Sequence, residues 1–319
     1  MDKSLRILVV CGGFSTEREV SLRSGKAIYD ALLHKGYFNT VLFDLTRENI
    51  TEILGIKPDI VFLGLHGRGG EDGSIQGLLE LAGIPYTGSG VGSSAVCMDK
   101  VFTKRILDNA GIPTPPFKVF RKDDFYDIEA IKTDVLCLFG LPMVLKSPSQ
   151  GSSIGMVIVD KEEELNGAIG EVFKYGDYLL VEQYVDGPEL SLPIMGDYDY
   201  KALPIIEIST DHVFYDYAAK YTRGLSHHII PANIDKLTEK EVIRLGIQAY
   251  KELHCQGLAR VDFIVDMNKG PQIIEVDTLP GMTDMSLFPD AARYIGINYD
   301  DLVERILEYG LNAKRDLSK

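Results

Sequence analysis

The sequence predicts a mixed α/β and α+β fold, with an N-terminal parallel α/β domain followed by a second region in two parts. Three observations predict it. The first hundred residues alternate short apolar runs with helix-like patterns, the βαβ order that implies a parallel sheet. From about Met98 this gives way to a helix, a proline-rich connector and two strands flanking a Gly/Ser loop. Further on, two acid-bearing strands, "LARVDFIVD" and "IIEVD", are separated by the short connector "MNKG", which predicts a hairpin.

In chain order the first unit reads as "RILVV" (strand), a helix from about Ser21 to His34, "TVLFD" (strand), a short helix, "DIVFLGL" (strand) and "IQGLLELAG" (helix). Ligands of parallel sheets gather at the carboxyl ends of the strands, here the polar loops "CGGFSTERE" and "HGRGGEDGS". Neither the G-x-G-x-x-G dinucleotide fingerprint nor a G-x-x-x-x-G-K-[ST] phosphate loop is present. The second unit holds the helix "DKVFTKRILDNAG", the connector "IPTPPF" and the strand–loop–strand "LPMVLKSPSQGSSIGMVIVD". Its Gly/Ser loop exposes backbone N–H groups and hydroxyls beside Lys146, as a flap over phosphates would, although such residues are also ordinary turn formers. The rest holds further strands, the long connection "FYDYAAKYTRGLSHHIIPA", the helix "TEKEVIRLGIQAYKELH", the acidic strands and a final helix "YDDLVERILEYGL". The expected domains are 1–97, 98–186 and 187–319.

Glu275 and Asp277 stand two apart in "IIEVDTLPGMT", so strand alternation sends both to one face while Ile274 and Val276 point into a core. Arg260 and Asp262 repeat that spacing on the partner strand. Three carboxylates are thus expected to converge beside one arginine. Mg²⁺ prefers oxygen ligands and bridges phosphates through a few carboxylates. An acid cluster, lysines and a glycine-rich flap therefore describe a site for Mg²⁺ and a nucleoside triphosphate.

Composition sets outer bounds. The 319 residues are 45% hydrophobic, ordinary for a globular chain of two or three domains. A formal net charge of −14 argues against nucleic-acid or anionic-membrane partners, so a phosphate site must be built from a few lysines. Cysteines 11, 97, 137 and 255 have neither metal-type nor CxxC spacing and read as reduced core thiols. With no signal-peptide pattern and no membrane-length apolar segment, the chain is expected in the cytoplasm.

The order of motifs resembles the ATP-grasp superfamily, and within it the D-alanine–D-alanine ligase family. The matches are "GGFSTEREVSL", "LHGRGGEDGSIQGLLELAGIPYTGSGV", "MDK", "QGSSIGM", "VEQYVDGPE", "FYDYAAKY", "RVDF" and "EVDTLPGMT", spread over nearly the whole chain. The resemblance implies a two-part ATP-grasp fold after the N-terminal domain and ATP-dependent ligation of two D-alanines for peptidoglycan precursor synthesis. It assigns Lys100 and Lys146 to the ATP phosphates, Glu182 to the adenine amino edge, Glu189 to the ribose hydroxyls and Ser152 and Ser153 to the loop over ATP. Asp262, Glu275 and Asp277 would hold two Mg²⁺ ions, with Mn²⁺ able to substitute. Glu17 would bind the ammonium of the first D-alanine, in a set with Ser152 and Tyr221 that ties the N-terminal domain to a closing loop. Lys220 would face the phosphates on closure, and His66 would lie near the first substrate. Ser286 and the Leu287 backbone N–H would receive the second substrate's carboxylate. A homodimer is expected from the family alone.

The chemistry so implied has two steps: one D-alanine carboxylate takes the γ-phosphoryl group of ATP, and the amino group of a second attacks the resulting acyl phosphate. Arg260 and the Gly281 backbone N–H would meet the tetrahedral oxyanion. The third metal position departs from the family's usual asparagine, being Asp277. A ligase using D-lactate or D-serine as second substrate and a catalytically silent nucleotide-binding regulator are the alternatives. Tyr221 speaks against D-lactate, because that loop position is phenylalanine in many depsipeptide-forming members.

Overall fold

The computed structural model describes residues 1–124, 127–151, 154–197, 199–210 and 226–313. The chain opens with β1 (Ile7–Gly12), α1 (Arg18–His34), β2 (Thr40–Leu45), α2 (Glu52–Ile56), β3 (Ile60–Leu63), α3 (Ser74–Leu81) and α4 (Val91–Met98). The expected parallel sheet is present, in the order β2-β1-β3, with Ile7 beside both Thr40 and Ile60. Strand β1 is central and wholly buried, which is why "ILVVCG" reads as an almost unbroken apolar run. The small-residue helix α4 has no apolar periodicity to announce it.

Next come α5 (Lys100–Asn109), β4 (Phe117–Arg121), α6 (Ile128–Phe139), β5 (Met143–Lys146), β6 (Met156–Val159), α7 (Leu165–Val172) and β7 (Tyr178–Gln183). The four strands form an antiparallel sheet ordered β4-β7-β5-β6, with α6 and α7 packed over it through Ile131, Val135 and Ile169. Helix α5 starts at Asp99, whose carboxylate accepts from the N–H groups of Val101 and Phe102, satisfying two donors of the first turn.

The last part holds β8 (Glu189–Met195), β9 (Lys201–Ala202), β10 (Ile206–Thr210), β11 (Ser226–Ile229), α8 (Lys236–Glu252), β12 (Leu258–Asp266), β13 (Gly270–Asp277), α9 (Leu287–Tyr294) and α10 (Tyr299–Asn312). Its sheet runs β11-β10-β8-β12-β13, with β9 paired to β8. The predicted hairpin is β12–β13: Asp266 Oδ1 accepts from the N–H groups of Asn268 and Lys269, and Gly270 turns the chain at φ +78°.

Core clusters cross between parts of the chain. Ile7, Val9, Ile28 and Phe62 pack with Phe288, Ala291, Val303 and Leu307, so α9 and α10 cover one face of the N-terminal sheet. Leu107 and Ile112 pack with Leu190, Val242 and Phe263, which seats α5 on the last sheet. Phe288 is fully buried at the first junction. Phe288→Ala is expected to lower stability by about 3–5 kcal/mol, the range for truncating a core aromatic, as read from the urea midpoint at unchanged slope.

Candidate functional site

The hairpin sets Arg260 opposite Asp277 and Asp262 opposite Glu275. Between Asp262 and Phe263 the register slips, so that Phe263 faces Ile273 and Ile274 is the extra residue of a β-bulge. This corrects one expectation: Val276 enters the core, but its apolar companion is Ile273, and Ile274 is only half-buried. Plain alternation fails at a bulge, which here re-aims the strand so that Glu275 and Asp277 still share a side.

Arg260 grips Asp262 through Nε (2.9 Å to Oδ1) and Nη2 (2.8 Å to Oδ2), and its Nη1 lies 3.1 Å from Asp277 Oδ2. Ser191 Oγ donates to Asp262 Oδ1 at 2.7 Å from the neighbouring strand β8. Burial alone would lower the Arg260 pKa, but Asp262 and Asp277 outweigh it and hold the guanidinium above its ordinary range. Burial raises the Asp277 carboxyl, with Arg260 opposing and Glu275 adding to the rise. Asp277 Oδ1 also accepts from the Leu279 N–H, fixing the turn that follows.

Helix α5 brings cations to both sides of the cleft. Lys100 Nζ lies 3.6 Å from Glu275 Oε2 and donates to the Gln150 carbonyl at 3.1 Å. One turn on, Lys104 Nζ lies 2.7 Å from Glu182 Oε1, while Lys146 Nζ approaches Glu182 Oε2 at 2.5 Å from β5. Burial would raise the Glu182 carboxyl, yet the two lysines hold it down to about 2. Lys104 is shifted below its ordinary value, because burial opposes its charge and it shares one carboxylate with a second ammonium. Glu189, the first residue of β8, is half-buried and lies in register with Ile264.

From the N-terminal sheet, Glu17 (6% exposed) and His66 reach the cleft at the carboxyl ends of β1 and β3. A Cβ at Gly151 would stand 2.8 Å from Glu17 Oε2, so any larger residue there would have to displace this carboxylate. His66 Nε2 shares a hydrogen bond of 2.9 Å with Ser24 Oγ, and its Nδ1 is 3.5 Å from Glu71 Oε1. Burial would lower the His66 pKa, but Glu71 raises it overall; burial and the Asp277 charge push Glu71 up to about 7. Met282 N–H donates to Ser24 Oγ at 3.4 Å, which ties this group to the loop before α9. There Ser286 stands at the N-cap of α9, its Oγ accepts from Thr283 N–H at 3.0 Å, and a Cβ added at Gly281 would stand 2.8 Å from that oxygen. Leu287 is the first residue of α9, where the backbone N–H has no intrahelical partner and suits an anion.

Arg260, Asp262, Glu275, Asp277 and Lys100 therefore meet at one cleft, whose lining also includes Glu71, Met98 and Gly151. Ser152, Ser153, Lys220 and Tyr221 lie outside the described residues. Among the described residues no three histidine, cysteine or acidic side chains already surround one point; the three carboxylates are arranged about Arg260 instead. Their all-oxygen donor set still fits a hard divalent cation. Among the described residues no helix is long and apolar enough to cross a membrane. Glu71 and Lys104 are absent from the expectations above. Glu71 lies inside the quoted "HGRGGEDG", five residues after His66; Lys104 follows Lys100 by one helical turn, the one spacing that hinted at it.

Glu182 carries an expected pH dependence. Its folded pKa of about 2 lies below the ordinary 4.5, so its stabilisation is full above pH 4.5 and is lost as pH falls toward 2. The difference corresponds to about 3 kcal/mol. Urea unfolding of Glu182→Gln between these limits is expected to show a flatter acid limb than the unsubstituted chain, and an equal slope in both would refute the assignment.

Residues 106–308 match the family model for the D-ala D-ala ligase C-terminus, and residues 46–89 that for its N-terminus. A D-alanine–D-alanine ligase from Carboxydothermus hydrogenoformans is 48% identical over 313 residues, 98% of this chain and 100% of that protein. The crystal structure of D-alanine–D-alanine ligase from Bacillus anthracis complexed with ATP superposes with a TM-score of 0.83 at 35% identity, covering 97% of each chain. That of VanG D-Ala:D-Ser ligase from Enterococcus faecalis gives 0.82 at 30% identity, covering 95% of this chain and 98% of that one. On these grounds the fold is an N-terminal parallel α/β domain followed by a two-part ATP-grasp unit, and the chain belongs to the D-alanine–D-alanine ligase family.

Proposed function

We propose that this protein joins two D-alanines into D-alanyl-D-alanine with conversion of ATP to ADP and phosphate, supplying peptidoglycan precursor synthesis. The observation that carries the assignment to this cleft is the double reach of α5: Lys100 meets the carboxylate hairpin and Lys104, one turn on, meets Glu182. A triphosphate laid along that helix would meet cations at one end and a carboxylate acceptor for the base at the other. Glu182 is buried, with Oε1 2.7 Å from Lys104 Nζ and Oε2 2.5 Å from Lys146 Nζ, and a carboxylate has lone pairs beyond these two contacts for an amino donor. Lys100 and Lys146 would take the phosphates and Glu189 the ribose, with Ser152, Ser153 and Lys220 joining from the loops. Asp262, Glu275 and Asp277 would hold Mg²⁺, or Mn²⁺ in its place, which when bound neutralises phosphate charge.

On the amino-acid side, Glu17 would receive the ammonium of the first D-alanine, with Ser152 and Tyr221 closing over it and His66 beside it. Its carboxylate takes the γ-phosphoryl group and so becomes electrophilic. Ser286 and the Leu287 N–H would orient the second D-alanine by its carboxylate, an anion matched to hydroxyl and helix N-terminal donors. Attack of its neutral amine leaves an oxyanion for Arg260 and the Gly281 N–H, and phosphate departs. Exclusion of water matters because the acyl phosphate hydrolyses. The chain is read as working in three units, 1–97, 98–186 and 187–319, as a homodimer in the cytoplasm.

Purified protein with ATP, Mg²⁺ and D-alanine is expected to release ADP with one dipeptide per turnover, while D-serine and D-lactate as second substrate compete poorly. ADP release with another amino or hydroxy acid but not with D-alanine would overturn this reading, as would ATP binding without turnover.

Asp277 gives a sharper expectation. Asp277→Asn keeps an oxygen for a metal and for the Leu279 cap but loses a charge, so it should retain substantial activity and raise the Mg²⁺ midpoint about fivefold, ~1 kcal/mol for a partly solvated charge. Asp277→Ala should lose most of the rate. If Mg²⁺ titration of Asp277→Ala at fixed ATP matches the unsubstituted protein, Asp277 is no ligand.

A further inference from the structure

Lys104 has no role in the family assignments above, yet it is only 1% exposed. It lies on the buried face of α5, between Val101 and Leu107 in spacing. A buried ammonium is retained only where contacts offset its lost hydration. Besides Glu182 Oε1, Lys104 Nζ donates to Thr114 Oγ1 at 2.6 Å and sits 5.0 Å from the centroid of the Phe117 ring. Phe117 is itself the β4 partner of Glu182 in the ladder with β7. The ammonium is thus tied to α5, to the loop before β4 and to β7 at once.

Two ammonium groups face one carboxylate here, and they are not equivalent. Lys146 retains 12% exposure of its side chain and points from the end of β5 beside the Gly/Ser loop, whereas Lys104 retains 2% and is held by Thr114 and Phe117. A triphosphate entering the cleft would draw Lys146 toward its phosphates. Glu182 would then be left buried with Lys104 as its charge partner. An ionised carboxylate accepts hydrogen bonds and donates none, so it favours a base edge that offers an N–H and opposes one that offers another oxygen.

We propose that Lys104 is a positioning residue for base selection: it holds the Glu182 carboxylate as a fixed acceptor once Lys146 turns to the phosphates, so that the site takes a 6-aminopurine and refuses a 6-oxopurine. This rests on the placement of ATP proposed above. Lys104 touches neither base nor phosphate in this scheme and acts through Glu182.

The test compares ATP with inosine triphosphate, which carries an oxygen where adenine carries its amino group, by calorimetric titration of the full chain and by kinetics with D-alanine. The unsubstituted protein should bind ATP more tightly. Lys104→Met should weaken ATP binding about tenfold or more, as expected for a mispositioned buried acceptor, and bring the two nucleotides toward equal affinity. The rate at saturating ATP and the KM for D-alanine should move little. Lys104→Arg, which keeps the charge, should restore the preference. Removing both charges in Lys104→Met/Glu182→Gln guards against a misfolded single variant, since exchanging a buried pair for neutral groups is far milder than orphaning one partner. Its amide offers either donor or acceptor, so it should bind both nucleotides alike. A folded Lys104→Met that keeps the full ATP preference and loses only thermal stability would overturn the proposal, as would a double variant with that preference intact. An unsubstituted protein that binds both nucleotides alike, or neither, would instead bring down the placement of ATP in this cleft, and the proposal with it.

Discussion

Arg260 holds Asp262 through two parallel hydrogen bonds and reaches Asp277 across the hairpin, and the rest of the cleft is built on this contact. Three carboxylates on two adjacent strands repel one another unless positive charge lies among them. A guanidinium suits the place because its planar fork satisfies one carboxylate with two bonds and keeps a third N–H group for another. With Asp262 and Asp277 so fixed, the bulge at Ile274 lets Glu275 face the same side, where Lys100 meets it. The placement of α5 follows: its first turn is capped by Asp99 and its far turn is anchored by Leu107 in the core of the last sheet.

That helix joins the two halves of the cleft energetically as well as in space. Leu107 packs with residues of β8 and β12, while Lys104 on the same helix pairs with Glu182 of the other sheet. A shift of one sheet against the other would therefore either pull an ammonium from its carboxylate in low dielectric or withdraw an apolar side chain from its core. The N-terminal sheet is tied in as well, because α9, capped at Ser286, carries Phe288 into the core with Ile7, Val9 and Phe62 of β1 and β3. The residue proposed to receive the second substrate and the residue that locks the helix are two positions apart.

The fold was legible wherever one rule governs a segment. Periodicity and βαβ order suffice for the parallel sheet, and "MNKG" suffices for the hairpin because Asp266 and Gly270 supply the turn chemistry locally. Sequence reasoning fails where a tertiary partner decides. Ile274 follows the alternation in its own strand, but the bulge arises in the pairing with β12, so Ile273 takes the core position instead. Helix α4 is rich in Gly and Ser and has no apolar stripe of its own. Within the site, Arg260, Asp262, Glu275 and Asp277 stand out by their spacing of two, and the motif order located Lys100, Lys146 and Glu182. Lys104 did not stand out, because a lysine in an amphipathic helix ordinarily faces water; its charge partner Glu182 comes 78 residues later, and Thr114 and Phe117 complete its surroundings only in the folded chain.

The same pairing explains how a chain of net charge −14 takes a polyanion. Long-range attraction is not available to it, so affinity must come from cations inside the cleft. Unpaired lysines in a buried site would lose their charge or destabilise the fold, and exposed ones would be screened. Among the described residues these cations are already matched to carboxylates: Lys100 to Glu275, Lys146 and Lys104 to Glu182, Arg260 to Asp262. Much of the desolvation is met during folding, and in the proposed placement a triphosphate with its metal would exchange partners rather than create buried charges afresh: the lysines would trade carboxylate for phosphate, and the acids would trade ammonium for the cation they are proposed to hold. Exchange of this kind would be selective by construction, because an anion arriving without its cation would leave the hairpin carboxylates facing it, and a cation alone would leave the lysines with fewer partners than they began with.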